Sequence, residues 1–468
     1  MKSIFKLLLL TFVFSLNFGC FEDDDDSISG ITDIKNFVWK AMNFAYLYKD
    51  NSPNLANDRF TLDSDYKSFL NIYNSPENLF ESLIYDRENV DRFSWITSDY
   101  IALEQQFSGV TKTNGAEFNF YYIPGSTSEV YGVVRLIQPN SNASNTALIR
   151  GQVFNKIDGI TLTEDNLRML LNSETYTLNL ATYNTNGTDA PEDDSLIDGT
   201  ETIALTKTVY SENPIFKTEV ITSNNEKVGY IMYNGFVSDY DAQLNAAFGE
   251  FQAQNIQSLI LDLRYNPGGS VNSAAALGSM ITGLSSGVFA KLQYNSDLQS
   301  NNTDYSFRST LSEGNSINSV GLDKVYVIAT GSSASASEMI INSLKSYIDV
   351  VQIGTNTVGK SQASITLYDS PNFQRQGANP GHLYALQPLV AITVNKDNQA
   401  VPSTGMIPTV EVNENVSNYG VLGDINEPLL AAALAAYQTG RFTIDVQGIS
   451  PVIDSNSFIP HSQEMYID

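Results

Sequence analysis

Two residues 25 positions apart, Ser335 and Lys360, have the types and setting needed for covalent chemistry in this 468-residue sequence. A serine hydroxyl becomes a nucleophile only when a base removes its proton, and a desolvated lysine can be that base. Ser335 follows an apolar run, Val325 to Ile328, and the small residues after Gly331. Helical spacing then begins at Met339, Ile340, Leu344 and Ile348, and Ser335 with Glu338 forms an S-x-x-E capping box. Taken alone that box says only that Ser335 starts a helix. Lys360 changes the weight, because it closes a Thr-Val-Gly-Lys turn after a second apolar run, Val350 to Ile353. A lysine that accepts a proton must be neutral, and its free pKa is about 10.4. Burial beside apolar side chains such as Val358 is the expected means of lowering it.

The rest of the inventory removes rivals. The sequence has one cysteine, Cys20, and two histidines, His382 and His461. That leaves no thiol nucleophile, disulfide or Cys-ligated zinc in the body of the chain, and no H-E-x-x-H pair. No cofactor or metal is expected. His382 reads as a surface histidine without a G-x-S-x-G elbow to serve. Ser332, Ser333 and Ser337 read as turn and helix-start residues. A net charge of −26, with no Lys/Arg cluster, argues against nucleic-acid partners.

The N-terminus carries two lysines and an apolar core from Leu7 to Phe18, too short to span a membrane but suited to a signal peptide over residues 1–19. Gly19-Cys20 at its end resembles a bacterial lipoprotein signal, in which Cys20 would be lipidated and hold the protein in the cell envelope. The expected face is the outer membrane, periplasmic or surface-exposed. The acidic run Glu22 to Asp26 reads as part of a solvated tether over residues 20–30.

These residues must be positioned by a chain that reads as α/β overall, an α+β multidomain protein. Residues 31–106 carry helical periodicity rich in aromatics, including Phe37, Phe44, Phe69 and Leu79, broken at Pro53 and Pro76. Residues 107–190 read as a β-rich domain with strands at Phe118–Tyr122, Tyr131–Ile137, Gln152–Ile157 and Tyr176–Tyr183. Thr161 and Glu164 would cap its short helix, and Asn184 to Gly199 reads as a surface loop. Residues 191–440 read as an α/β domain in which the strand Ser258 to Leu263 ends in Arg264-Tyr265-Asn266-Pro267-Gly268-Gly269. Paired glycines there let backbone N–H groups face a ligand closely. Tyr294 to Ser316 reads as polar and mobile, and residues 441–468 as a β-like extension of unassigned role.

The segments LDLRYNPGG at 261–269, SSASASE at 332–338, TVGK at 357–360, GMIPTVEV and LGDINEPLL together resemble the C-terminal processing peptidases, or tail-specific proteases. The β-rich segment, with Arg150-Gly151-Gln152-Val153 and Ile157-Asp158-Gly159, resembles a PDZ domain. The resemblance implies a Ser-Lys serine endopeptidase acting on extended or unfolded polypeptides, with Ser335 as nucleophile and Lys360 as general base. It also implies an oxyanion hole from the N–H groups of Ala336 and of Gly268 or Gly269. The helix start at Ser335 favours the same arrangement through its dipole. Tail capture would fall to the PDZ-like strand near Gly132, Val133 and Val134. The chain departs from the family at the position four after the lysine, where many members carry a glutamine and this chain has Ser364. Gln362 lies on the same strand face, so either side chain is a candidate to orient Lys360. The alternative is a peptide-binding surface lipoprotein that keeps the peptidase fold with little activity.

Overall fold

The computed structural model describes residues 30–188, 193–440, 451–454 and 465–467. The expected signal peptide, the lipidation site Cys20 and His461 lie outside the described residues.

The first region is helical, as its periodicity requires: Ile31–Ala45, Asp63–Ile72, Pro76–Leu83 and Tyr100–Phe107. Pro76 does not merely separate two helices. It occupies the first turn of Pro76–Leu83, where a missing N–H costs nothing, and Ser75 Oγ caps that turn by accepting from Asn78 N–H at 3.2 Å. The region is not an independent unit. Phe37, Met42, Leu79, Phe80 and Leu83 belong to one continuous apolar core with Ile231, Leu277, Val325 and Ile340.

The β-rich region forms one sheet ordered Ile453–Asp454, Ala116–Tyr122, Val130–Ile137, Val153–Ile157, Thr175–Asn184 and Ser195–Thr206, with Ile160–Thr161 also on Val153–Ile157. Its helix is Leu167–Asn172 and starts at Asn166; the expected Thr161 and Glu164 cap does not form, because Thr161 is still in a strand. A boundary at 190 would cut a hairpin, since Ser195–Thr206 pairs antiparallel with Thr175–Asn184. Part of the expected loop, Ser195 to Gly199, is therefore strand.

The α/β region is built on a six-stranded sheet ordered Ile215–Ser223, Glu226–Tyr233, Ser258–Asp262, Lys324–Ala329, Asp349–Gly354 and Val410–Glu411. Its first pair is antiparallel and the remaining pairs are parallel. The central strands read as unbroken apolar runs because both faces are covered, one by Asp241–Gln254, Val271–Thr282 and Ala336–Leu344, the other by Pro428–Thr439. A second six-stranded sheet is ordered Gly269–Ser270, Met465–Tyr466, Gln362–Ser364, Leu389–Val394, Val288–Tyr294 and Thr303–Ser306. The polar stretch after Tyr294 is thus ordered structure. Thr303–Ser306 pairs with Val288–Tyr294 in a hairpin that buries Phe307.

Candidate active site

Ser335 sits where the strand Lys324–Ala329 has ended and the helix Ala336–Leu344 begins. It is fully buried, and its backbone has φ +65° and ψ −116°. Such a conformation costs a non-glycine residue on the order of 1–3 kcal/mol and persists only where the surroundings enforce it. Glu338 accepts from Ser335 N–H at 2.8 Å, whereas Ser335 Oγ has no hydrogen-bond partner among the described residues.

The three neighbouring serines behave differently. Ser332 Oγ accepts from Arg135 at 2.9 Å, Ser333 Oγ donates to the Leu263 carbonyl at 2.7 Å, and Ser337 Oγ donates to the Asn266 carbonyl at 3.0 Å. Two of these bonds tie the serine turn to the turn after Ser258–Asp262. Asn266 completes the join: Ala334 N–H donates to its carbonyl, and its side chain reaches Tyr233 O at 2.8 Å.

Glu338 brings the lysine turn to the serine turn. Its carboxylate is fully buried and accepts from Gly359 N–H at 2.7 Å, Lys360 N–H at 2.9 Å and the Thr357 hydroxyl, besides Ser335 N–H. Ser335 N and Lys360 N share the same oxygen, Oε2, so the two backbones approach more closely than the sum of those distances. Burial raises the Glu338 pKa even against these four hydrogen bonds. The sequence signal for this residue was the capping box, which names its local partner and hides its long-range ones.

Lys360 is fully buried, and the apolar surface over its ammonium nitrogen is the ring of Phe93, 5.0 Å away. Phe93 comes from the helical region. Asp91, buried, accepts from Tyr46 Oη at 2.8 Å and from Ser94 N–H at 2.8 Å, which fixes the turn that carries Phe93. On the same turn Arg92 Nη2 donates to the Gly359 carbonyl at 3.2 Å and the Ser403 carbonyl at 3.3 Å. Gly359 has φ +86°, and a Cβ on it would lie 2.3 Å from Ser403 O, so only glycine fits the turn before the lysine.

The two candidate orienting residues each make a hydrogen bond to another segment of the chain. Gln362 Nε2 donates to Tyr48 Oη at 3.0 Å, and Ser364 Oγ donates to the Met465 carbonyl at 3.1 Å. Gln362 Oε1 is buried without a hydrogen-bond partner among the described residues.

Of the expected oxyanion donors, Ala336 opens the helix, where N–H groups lack intrahelical acceptors. Gly268 and Gly269 take φ +114° and +130°, and a Cβ on Gly269 would lie 2.2 Å from Phe236 O. Gly268 N–H donates to Asn266 Oδ1 at 2.9 Å, so that donor is engaged in this arrangement.

Beneath the glycine turn lies a charged cluster that the sequence did not announce. Arg264, fully buried, meets Asp262 at 2.7 Å, Glu427 at 2.6 Å and Glu414 at 3.0 Å. Arg150 also reaches Glu414, at 2.5 Å, and although burial opposes it, the two arginines hold the pKa of that carboxyl below its usual value. The cluster joins the LDLRYNPGG, GMIPTVEV and LGDINEPLL regions by their side chains.

Two expectations need correction. Gly132, Val133 and Val134 lie in an interior strand, paired with Ala116–Tyr122 on one side and Val153–Ile157 on the other, so no edge is open there. The sheet's outer strand beside Ala116–Tyr122 is the chain's own Ile453–Asp454. His382 is not a surface residue. Its side chain is buried, Tyr384 N–H donates to its Nδ1 at 3.0 Å, and Nε2 meets Asp369 at 3.0 Å. With both ring nitrogens engaged it has no link to Ser335.

Among the described residues, no group of three or more His, Cys, Asp or Glu side chains is arranged to hold a metal ion.

The pattern of peptidase family S41 matches residues 227–411, and that of the S41 N-terminal domain matches residues 33–95. The chain belongs to peptidase family S41. A carboxyl-terminal-processing protease of Picosynechococcus sp. is 24% identical over 241 residues, covering 51% of each chain. The match thus spans about half the length of that relative. The crystal structure of an S41-family protein from Bacteroides fragilis superposes with a TM-score of 0.67 at 26% identity, covering 86% of this chain and 97% of that one. The photosystem II D1 C-terminal processing protease shares the fold at 18% identity, with a TM-score of 0.52 over 87% of this S41 chain and 99% of its own.

Proposed function

We propose that this S41 member is a serine-type endopeptidase that hydrolyses extended or unfolded polypeptides with Ser335 as nucleophile and Lys360 as general base. One observation carries the reading. Among four serines at the turn, Ser335 alone keeps a buried hydroxyl without a hydrogen-bond partner, on a strained backbone that a single carboxylate links to Lys360. A strained residue with an unpartnered hydroxyl is costly and contributes nothing to packing, which suits a group held for chemistry.

In this mechanism Lys360 Nζ removes the Ser335 proton as Oγ attacks the scissile carbonyl, the same proton passes to the amine as the C–N bond breaks, and a water deprotonated by Lys360 then cleaves the Ser335 ester, the proton returning to Oγ. The Ala336 N–H at the helix start and a glycine N–H from Gly268-Gly269 stabilise the oxyanion. For Gly268 to serve, the Asn266 side chain must release it. Phe93 and the Asp91 turn enclose the lysine on the side of the helical region. Substrate engagement by the β-rich region and lipid anchoring through Cys20 in the cell envelope are parts of the same proposal.

The test is a digest of unfolded casein by wild type, Ser335→Ala and Lys360→Ala, alongside labelling by a fluorophosphonate probe. Wild type should cut and be labelled while both variants, folded by circular dichroism, do neither. Equal proteolysis by Ser335→Ala would overturn the assignment.

A further inference from the structure

The second sheet contains a place that the rest of the fold leaves for one strand. Gly269–Ser270 on one side and Gln362–Ser364 on the other do not pair with each other; Met465–Tyr466 lies between them and pairs parallel with both. Gly269 is opposite Met465, and Ser270 and Ser364 are both opposite Tyr466. Ile467 N–H donates to the Ser364 carbonyl at 3.2 Å, and Ser364 Oγ donates to the Met465 carbonyl at 3.1 Å. One wall of the slot follows Gly268 directly and the other begins two residues after Lys360. A strand seated there runs between the glycine turn and the lysine strand.

The side chains of this segment fit as a ligand's would. Met465 is fully buried. The Tyr466 ring stacks on Phe107 with centroids 4.2 Å apart and planes 22° apart, and its hydroxyl reaches toward the Phe236 carbonyl at 3.5 Å. Phe107, Phe236, Pro267, Gly268 and Gly269 line a cavity of about 170 Å³ against that ring. Its walls come from the helical region, the β-rich region, the 212–237 segment and the glycine turn together.

We propose that this slot is the channel for an extended polypeptide, that residues 465–467 fill it as a tethered substrate mimic, and that the Tyr466 cavity selects an aromatic side chain. The inference rests on the peptidase reading above and deepens it. Strand addition on two sides supplies sequence-independent affinity through the main chain, and the pocket supplies preference. Bound in cis at high effective concentration, the segment excludes free polypeptides until it is displaced.

The test uses the full chain with Tyr466→Ala, with Tyr466→Phe as the variant that retains the ring. Casein cleavage and fluorophosphonate labelling should both rise several-fold in Tyr466→Ala and stay at the wild-type level in Tyr466→Phe. A second arm needs no turnover. A fluorescein-labelled HSQEMYID peptide is titrated by anisotropy into the Ser335→Ala/Tyr466→Ala protein, and the same peptide with alanine for tyrosine should bind about tenfold more weakly. Absence of peptide binding, equal binding of the two peptides, or a wild type that is labelled and a Tyr466→Ala variant labelled no faster would overturn the channel. Peptide binding with the tyrosine preference but no cleavage by any variant would uphold the channel and count against the peptidase reading instead.

Discussion

Glu338 Oε2 accepts both the Ser335 N–H, at 2.8 Å, and the Lys360 N–H, at 2.9 Å, so one buried oxygen sets the spacing of the two turns proposed to do chemistry. The second oxygen takes Gly359 N–H and the Thr357 hydroxyl, which leaves a carboxylate with acceptors and no donors as the group that fits. Glu338→Gln is nearly isosteric but turns an NH2 toward donors. It should lower stability by about 1–3 kcal/mol, the cost of leaving a buried donor unsatisfied. Casein turnover should fall at least as strongly as after loss of a positioning residue, with kcat reduced and KM nearly unchanged. Urea denaturation and steady-state kinetics on the same preparation check both halves, and an unchanged kcat would remove Glu338 from the positioning of the site.

The strain at Ser335 gives a prediction of opposite sign. With φ at +65°, the residue occupies a region that glycine visits freely and alanine does not. Ser335→Gly and Ser335→Ala should both be inactive. They should differ in stability, the glycine variant being more stable than the alanine one by about 1 kcal/mol. Urea midpoints at matched m-values measure the difference. An alanine variant as stable as the glycine variant would show that the backbone relaxes and stores no strain.

How far the sequence could be read follows from how local each signal was. The turns that carry Ser335 and Lys360 were legible because a strand-to-helix turn and a glycine-lysine turn are written in adjacent residues, whereas Glu338 was legible only as a helix cap. The long apolar strands of the main sheet were legible for the same reason. What was missed depends on contacts between distant segments. Phe93 covers Lys360 from a position 267 residues away in sequence, and nothing in Asp91-Arg92-Phe93-Ser94 says what it will touch. The strand register that places Gly132 to Val134 in the sheet interior was hidden as well, since an edge strand and an interior strand can share one alternation. Thr161 and Glu164 matched a capping box that a short strand pre-empted.

Arg264 anchors a different prediction. Its guanidinium is fully buried among Asp262, Glu427 and Glu414, and the surrounding carboxylates hold its pKa well above the usual value. Replacing it with leucine leaves Asp262 without its arginine and Glu414 and Glu427 with Arg150 alone, and removing one partner of a buried pair costs about 3–5 kcal/mol. Arg264→Leu should therefore fold marginally or not at all. A double change, Arg264→Leu with Glu427→Gln, should recover part of the loss, because Glu427 accepts from two guanidinium nitrogens and also from Leu430 N–H at the start of Pro428–Thr439. Thermal melts of the single and double variants test the coupling; strictly additive losses would mean that the two side chains do not act as a unit.

Glu212 should impose a pH dependence on stability. It lines the same cavity as Gly268, Gly269 and Tyr466, and burial first, then the nearby Glu117 carboxylate, pushes its pKa up from 4.5 to about 7. Gln138 and Asn234 donate to it and offset part of that rise, while Arg135 pairs with Glu117 at 2.8 Å. Because the folded state holds this proton more tightly than the unfolded chain, its contribution to stability is fully present below pH 4.5. It is lost as pH rises through about 7. Over that window the folded chain binds more protons than the unfolded one, so unfolding becomes easier with each step upward, by at most about 1.4 kcal/mol per pH unit for one group. Glu212→Gln removes the titrating proton. The stability difference between wild type and Glu212→Gln, measured by urea denaturation at half-unit steps from pH 4.5 to 7.5, should move against wild type as pH rises, whereas a constant difference would place the Glu212 pKa near its unfolded value.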